Sequence, residues 1–221
     1  MIQESYKISH PEYMHIIEDG ATLHGCNQDW YKIEFRRRAG CGPVAATNIL
    51  LYLRKRYDVE KIPYNNDNID EALIAMNDVF LYVRPKRRGL HTVKKFVRGM
   101  SKLGHSYGLS FWYQYILVPP QVEKRPPLDE VIRFISNGLS ADVPIAFLNL
   151  DAGEVEAQLS SWHWVTVVEM AGKHPGEYAL RYYDQSKYLE VNLGRWLNTT
   201  TKGGGFAYFC KPSDRRVINP P

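Results

Sequence analysis

Residues 39–59 read AGCGPVAATNILLYLRKRYDV, and the rest of the chain is understood outward from them. Pro43 suits a first helical turn, where its missing N–H is not needed. Small residues follow (Val44, Ala45, Ala46), and then Ile49, Leu50, Leu51 and Leu53 cover more than one face. The pattern predicts a helix from Pro43 to about Tyr57, and a helix apolar on several sides is buried. Cys41 stands at its start, between Gly40 and Gly42. Free N–H groups at a helix start carry partial positive charge and stabilise an anion. A thiol there sheds its proton more readily and can act as a nucleophile. The flanking glycines let a second backbone, such as a substrate's, approach closely. The same position also suits a small buried residue in a glycine turn, the commoner fate of a free cysteine.

Downstream of this helix, Asn66-Asp67-Asn68 can cap a second one over roughly Ile69–Val79. A basic loop, RPKRRG, leads to a third, from near His91-Thr92 to Gly104. FWYQYILV (111–118) is rich in aromatic and β-branched residues and predicts a strand. PPQVEKRPP (119–127) is a proline-rich connector between two subregions. In LDEVIRFISNGL (128–139), Leu128, Val131, Ile132, Ile135 and Leu139 share one helical face. Beyond it the period changes. VPIAFLNL (143–150), WVTVVEM (164–170), EYALRYYD (177–184), YLEVNL (188–193) and FAYFC (206–210) predict strands. Turn signals at Asp151-Ala152-Gly153, Lys173-His174-Pro175-Gly176 and Gly203-Gly204-Gly205 separate them. The first 35 residues are mixed and polar, with Trp30-Tyr31 as their anchor. Helices first and strands second make an α+β fold. The expected organisation is a single domain over 1–221, with a helical subregion at about 36–118 and a β-rich one at about 128–210.

Composition narrows the function classes. With 221 residues, 44% hydrophobic and 24% charged, the chain suits one folded domain. No apolar run approaches the roughly 18 residues of a membrane span, and the N-terminus lacks a basic start followed by an apolar block. The three cysteines, Cys26, Cys41 and Cys210, are too few and odd for a disulfide framework; Cys26 and Cys210 are expected to be structural thiols. These features make the cytoplasm the expected compartment, without a membrane partner. The seven histidines are scattered, and no Cys/His pair has zinc-ligand spacing, so neither metal nor cofactor is expected. The net charge of +4 is uneven: residues 1–110 carry 17 Lys and Arg against 12 Asp and Glu, residues 111–221 carry 11 against 12. The basic clusters, such as Arg36-Arg37-Arg38 and Arg84 to Arg88, stand beside no zinc-finger, helix-turn-helix or RNA-binding signature. They are expected to face water or to favour an acidic partner, and nucleic acid is not expected.

Two further residues complete a constellation. His163, in SSWHW (160–164), precedes a strand, and neutral imidazole is the natural base for a thiol. Asp184 ends the next strand. If WVTVVEM and EYALRYYD form a hairpin, the start of one lies beside the end of the other, and a carboxylate there would fix the imidazole tautomer. Each residue alone has a plain structural explanation: a packed histidine between tryptophans, an aspartate before a turn. Together they make a coherent nucleophile, base and orienting acid.

On these residues the chain resembles the papain-like cysteine peptidase superfamily, in the bacterial branch of bacteriocin-leader (double-glycine) peptidases and their free-standing relatives. Gly40-Cys41-Gly42-Pro43-Val44-Ala45-Ala46 is similar to the nucleophile motif, Trp162-His163-Trp164-Val165-Thr166-Val167-Val168 to the histidine strand, and Tyr182-Tyr183-Asp184 to the strand ending in the third catalytic residue. The resemblance covers roughly residues 25–210. It implies a papain-like fold, with helices around the nucleophile helix on one side and an antiparallel sheet on the other. It also implies a hydrolase that cleaves peptide or amide bonds of a peptide or protein substrate through a thioacyl-enzyme, with Cys41, His163 and Asp184 as the triad. Trp30, Gly40, Gly42, Trp162 and Trp164 are expected around the cleft. The superfamily resemblance extends to acyltransferases, and a non-catalytic peptide-binding module on the same fold is a third reading. One departure stands out. The glutamine that usually lies six positions before the nucleophile is replaced by Phe35. The second oxyanion donor would then be Gln28, ranked first for its neutral N–H, or Asn27, Arg36 or Arg37. The sequence itself names neither the bond cleaved nor the oligomeric state.

Overall fold

The computed structural model describes residues 4–87, 89–172, 174 and 177–211. The chain begins with three short strands for which the composition predicts no element: β1 (Glu4–Lys7) and a hairpin of β2 (His15–Glu18) and β3 (Ala21–His24). A short helix, α1 (Glu34–Ala39), leads through Gly40 straight into α2 (Cys41–Arg56). Every residue of α2 from Cys41 to Leu53 is buried, as its all-round apolar pattern requires. Its two interior polar side chains are satisfied. Thr47 donates to the Pro43 carbonyl, and Asn48 bridges the Cys26 N–H and the Thr166 hydroxyl.

Helices α3 (Ile69–Tyr82) and α4 (Val93–Ser106) begin where side chains can cap them, at Asn68 and Thr92. The strand β4 (Trp112–Val118) follows, then α5 (Leu128–Ser140), β5 (Ile145–Asn149), β6 (His163–Gly172), β7 (Ala179–Asp184) and β8 (Lys187–Asn192). The chain closes with α6 (Leu193–Thr199) and β9 (Gly204–Cys210). The main sheet runs β4-β9-β5-β6-β7-β8, with β1 added along β6, and every pairing is antiparallel. The molecule is therefore an α+β protein with an antiparallel sheet. Strand β4 lies before the proline-rich connector yet pairs along its whole length with β9, so the sheet draws on both subregions. Of the expected turn 173–176, Lys173, Pro175 and Gly176 lie outside the described residues.

Alternation along β9 shows how the sheet is covered. Phe209 meets Phe96 of α4 on one face, while its neighbour Tyr208 meets Phe134 of α5 on the other. Phe206, in phase with Tyr208, packs against Phe147 and Trp196 of α6. Among the described residues no helix is long and apolar enough to cross a membrane.

Candidate active site

The first helical residue of α2 is Cys41, and no side chain caps that end of the helix. Its first N–H groups are therefore open to an anion at or near the sulfur. Cys41 is almost fully buried, at 9% exposure. The β6–β7 hairpin delivers the other two groups. Thr166 pairs with Tyr183 and Val167 with Tyr182, which carries His163 at the start of β6 to Asp184 at the end of β7. The His163 Nε2 lies 2.7 Å from the Asp184 Oδ1. Cys41 stands beside this pair: it lines the same small void as Asp184 and acts electrostatically on His163. The three residues expected to act together are thus in one place.

Electrostatics give this contact a direction. Burial works to lower the pKa of His163. The hydrogen bond to Asp184, the neighbouring Cys41 and the Asp184 carboxylate charge outweigh it and raise the pKa to about 10. The imidazolium is thus the favoured form of His163 beside the Asp184 carboxylate. By contrast, burial alone pushes the Cys26 thiol far up, so Cys26 remains protonated. Among the described residues no three His, Cys, Asp or Glu side chains converge as a metal site.

Backbone geometry on either side of the pair is unusual. Trp162, just before His163, has a left-handed φ of 57°, uncommon for a bulky residue. Its side chain is 53% exposed, under the Lys202 ammonium at 5.0 Å. Gln185 and Ser186, just after Asp184, also have positive φ and form the two-residue turn between β7 and β8. Asp184 is thus both a turn residue and the partner of the histidine.

A cleft of about 730 Å³ opens over Cys41. Its walls include Phe35 and Arg38 of α1, Leu90 and His91 from the loop before α4, Leu148 and Leu150 at the end of β5, and Trp162. The Nδ1 of His91 is buried, with no hydrogen-bond partner among the described residues. Other expected cleft residues lie elsewhere. Trp164 is buried at 2%, stacked on Phe96, with its indole N–H on the Leu90 carbonyl at 2.5 Å. Regular alternation would put residues 162 and 164 on one face; Trp162, just before β6, turns out instead because of its left-handed backbone, while Trp164 faces the core. Trp30 packs against the core and does not line the cleft. Gly40 and Gly42 are buried too, and the chain's own atoms occupy the space beside them. A Cβ on Gly40 would sit 2.3 Å from the Arg36 carbonyl oxygen, and one on Gly42 would sit 2.9 Å from Leu90. These glycines serve packing around α2; they do not leave room for a substrate backbone.

Gln28, which opens a short 3₁₀ turn (Gln28–Trp30), lines a separate small void together with Cys41, Asp184 and Gln185. Phe35 instead lies in the open cleft, edge-on to Phe80. A residue that sequence reasoning missed is Asn149. It is fully buried, stands opposite His163 on β5, and hydrogen-bonds Ser160 and Trp196. Its signal was a polar residue inside an otherwise apolar strand, VPIAFLNL. No protein-family model matches the chain, and no curated protein matches it.

Proposed function

We propose that the chain is a papain-like cysteine peptidase, a hydrolase of peptide or amide bonds. The observation that carries this reading is the hydrogen-bonded His163–Asp184 pair beside Cys41, with Cys41 on a helix start that no described side chain caps. The Cys41 thiolate attacks the carbonyl carbon, and the electron pair of the C=O bond moves to oxygen. That oxyanion is stabilised by the N–H groups at the start of α2 and by the Gln28 amide. His163 gives its proton to the leaving amine as the C–N bond breaks, leaving a thioester on Cys41. A water molecule then yields a proton to His163 and attacks the thioester. The acid departs, and Cys41 and His163 return to their starting state. Asp184 holds the ring in the orientation that both steps use.

Phe35, at the usual glutamine position, favours a second reading: a peptide-binding module on the same scaffold without turnover. The presence of Gln28 beside Cys41 weighs for catalysis. Two measurements decide. At neutral pH, iodoacetamide should alkylate Cys41 well before Cys26 or Cys210, and His163→Ala should abolish that preference. A peptide library should be cleaved by the parent and not by Cys41→Ala. Equal reactivity of the three thiols would count against an activated cysteine. A reactive Cys41 without cleavage of any peptide would select the binding module. An acyl-enzyme that persists in water but turns over with an added amine would select an acyltransferase.

A further inference from the structure

Beside the cleft lies a second groove, of about 360 Å³, whose charged lining is entirely cationic: Arg84, Lys86, Lys95, Arg98 and Lys102. Its origin is visible in the sequence. Between Asp78 and Glu123 the chain has eight Lys and Arg residues and no Asp or Glu. The whole chain carries only +4, so the remainder is net negative and the positive charge is concentrated here. Lys95, Arg98 and Lys102 share one face of α4. Gly99, within that helix, lets α4 approach the end of α3: a Cβ there would meet the Tyr82 carbonyl oxygen at 2.8 Å and the Val83 Cα at 2.9 Å. The close approach sets Arg84 and Lys86, just past α3, across from the α4 cations.

All five side chains are exposed, and among the described residues none enters an ion pair. Surfaces ordinarily mix the two signs, and like charges gathered in a concavity repel one another and draw in anions. Position gives the groove its meaning. Gly89 and Leu90 line both the groove and the cleft that holds Cys41, and the cleft itself carries Arg38 and Arg87 with one carboxylate, Glu34. A polypeptide lying in the cleft can therefore continue into the groove.

We infer that this groove is an exosite for an acidic stretch of the polypeptide that occupies the Cys41 cleft. The substrate part of this inference rests on the peptidase reading; binding of an acidic peptide does not. Nucleic acid fits less well, because single strands gain affinity by stacking on successive aromatic rings and the groove offers only Tyr82.

The test uses the full chain carrying Cys41→Ala and a short fluorescein-labelled poly-glutamate peptide, followed by anisotropy at low salt. Saturable binding that weakens with added salt is expected. The variant Lys95→Glu/Arg98→Glu/Lys102→Glu should bind about tenfold more weakly or worse, the loss that three exposed ion pairs represent. A poly-glutamine peptide should not bind. If the charge reversal does not fold, the glutamine substitutions at the same three positions, which add no repulsion, give the same comparison. Equal affinity for the two peptides, or for parent and variant, overturns the exosite. Tighter binding of a single-stranded oligonucleotide of equal charge also overturns it, in favour of nucleic acid. An inert Cys41 with intact poly-glutamate binding removes only the peptidase reading, whereas a reactive Cys41 with no binding removes only the exosite.

Discussion

Asn149 stands directly across the β5–β6 pair from His163, and its amide holds the segment that delivers the histidine. The Nδ2 donates to the Ser160 carbonyl at 2.8 Å, and the Oδ1 accepts from the Trp196 indole N–H at 2.8 Å and from the Asp151 N–H at 3.2 Å. One buried side chain thus ties both ends of the 150–162 segment and anchors α6 beneath it. Asn149→Ala leaves a buried indole N–H and a carbonyl without partners. The expected cost is about 2–4 kcal/mol in denaturant unfolding. Because the same amide fixes the approach to His163, selective alkylation of Cys41 should fall in the folded variant as well.

The raised pKa of His163 predicts a pH dependence with a definite sign. Its value in the folded protein, about 10, lies above the ordinary 6.5 of the unfolded chain. Folding is therefore favoured by the charged ring. That contribution is complete below about pH 6.5 and is lost as the pH rises through about 10. Asp184→Asn removes the carboxylate, lowers the His163 pKa, and should flatten this alkaline loss of stability. On the peptidase reading, in which the imidazolium is the acid for the leaving amine, the same shift should appear in activity. The alkaline limb of kcat/KM should move to lower pH in Asp184→Asn. In His163→Ala the rate should fall by about 100- to 10,000-fold.

The parts of this fold that were legible in the sequence are those whose signals are local. The apolar run of α2, the Asn68 cap, the start of α4 near Thr92, and the β-branched and aromatic runs of β6 and β7 are carried by neighbouring residues. Hairpin geometry then put His163 beside Asp184 without further information. Strand β1 was not legible, because four residues (ESYK) carry no pattern and owe their conformation to β6 far along the chain. Helix α6 was hidden because LGRWLNT is brief and follows a strand without a break. The tryptophans flanking His163 look alike in sequence. Only the left-handed backbone at Trp162, just before β6, decides that Trp162 meets the cleft while Trp164 enters the core. The atoms crowding Gly40 and Gly42 differ in origin: the Arg36 carbonyl lies one helical turn back, whereas Leu90 is far along the chain and no local pattern brings it near.

Gln28 and Phe35 lie on different sides of Cys41, and this separates their roles. Gln28 shares a small void with Cys41 and Asp184, while Phe35 faces the open cleft. If Gln28 is the oxyanion donor of the proposed peptidase, Gln28→Ala should lower kcat for peptide hydrolysis by about 100- to 1,000-fold, the usual cost of one such donor. Alkylation of Cys41 by iodoacetamide, which forms no oxyanion, should be nearly unchanged. Phe35→Gln should not rescue that loss, because a side chain at this position points into the cleft; it should act on KM instead. Rescue of Gln28→Ala by Phe35→Gln would reverse the assignment of the donor.

Two glycines with the same backbone handedness should respond very differently to a methyl group. Gly203 has φ of +67° and Gly20 has φ of +78°. At Gly20 a Cβ would meet nothing within 4 Å, so Gly20→Ala carries only the left-handed penalty, about 1–2 kcal/mol. At Gly203 the same atom would sit 1.9 Å from the Val118 carbonyl oxygen at the end of β4. Gly203 also accepts a hydrogen bond from the Leu150 N–H at 3.0 Å and donates one to the Thr200 hydroxyl at 3.0 Å, so it cannot move away without breaking both. Gly203→Ala should therefore cost at least about 3 kcal/mol in urea unfolding, with an unchanged denaturant slope. Because Leu150 lines the cleft over Cys41, the displaced carbonyl should also loosen that wall. The folded fraction of Gly203→Ala should then show a raised KM for peptide, while Gly20→Ala, on the far β2–β3 turn, should keep the parent KM.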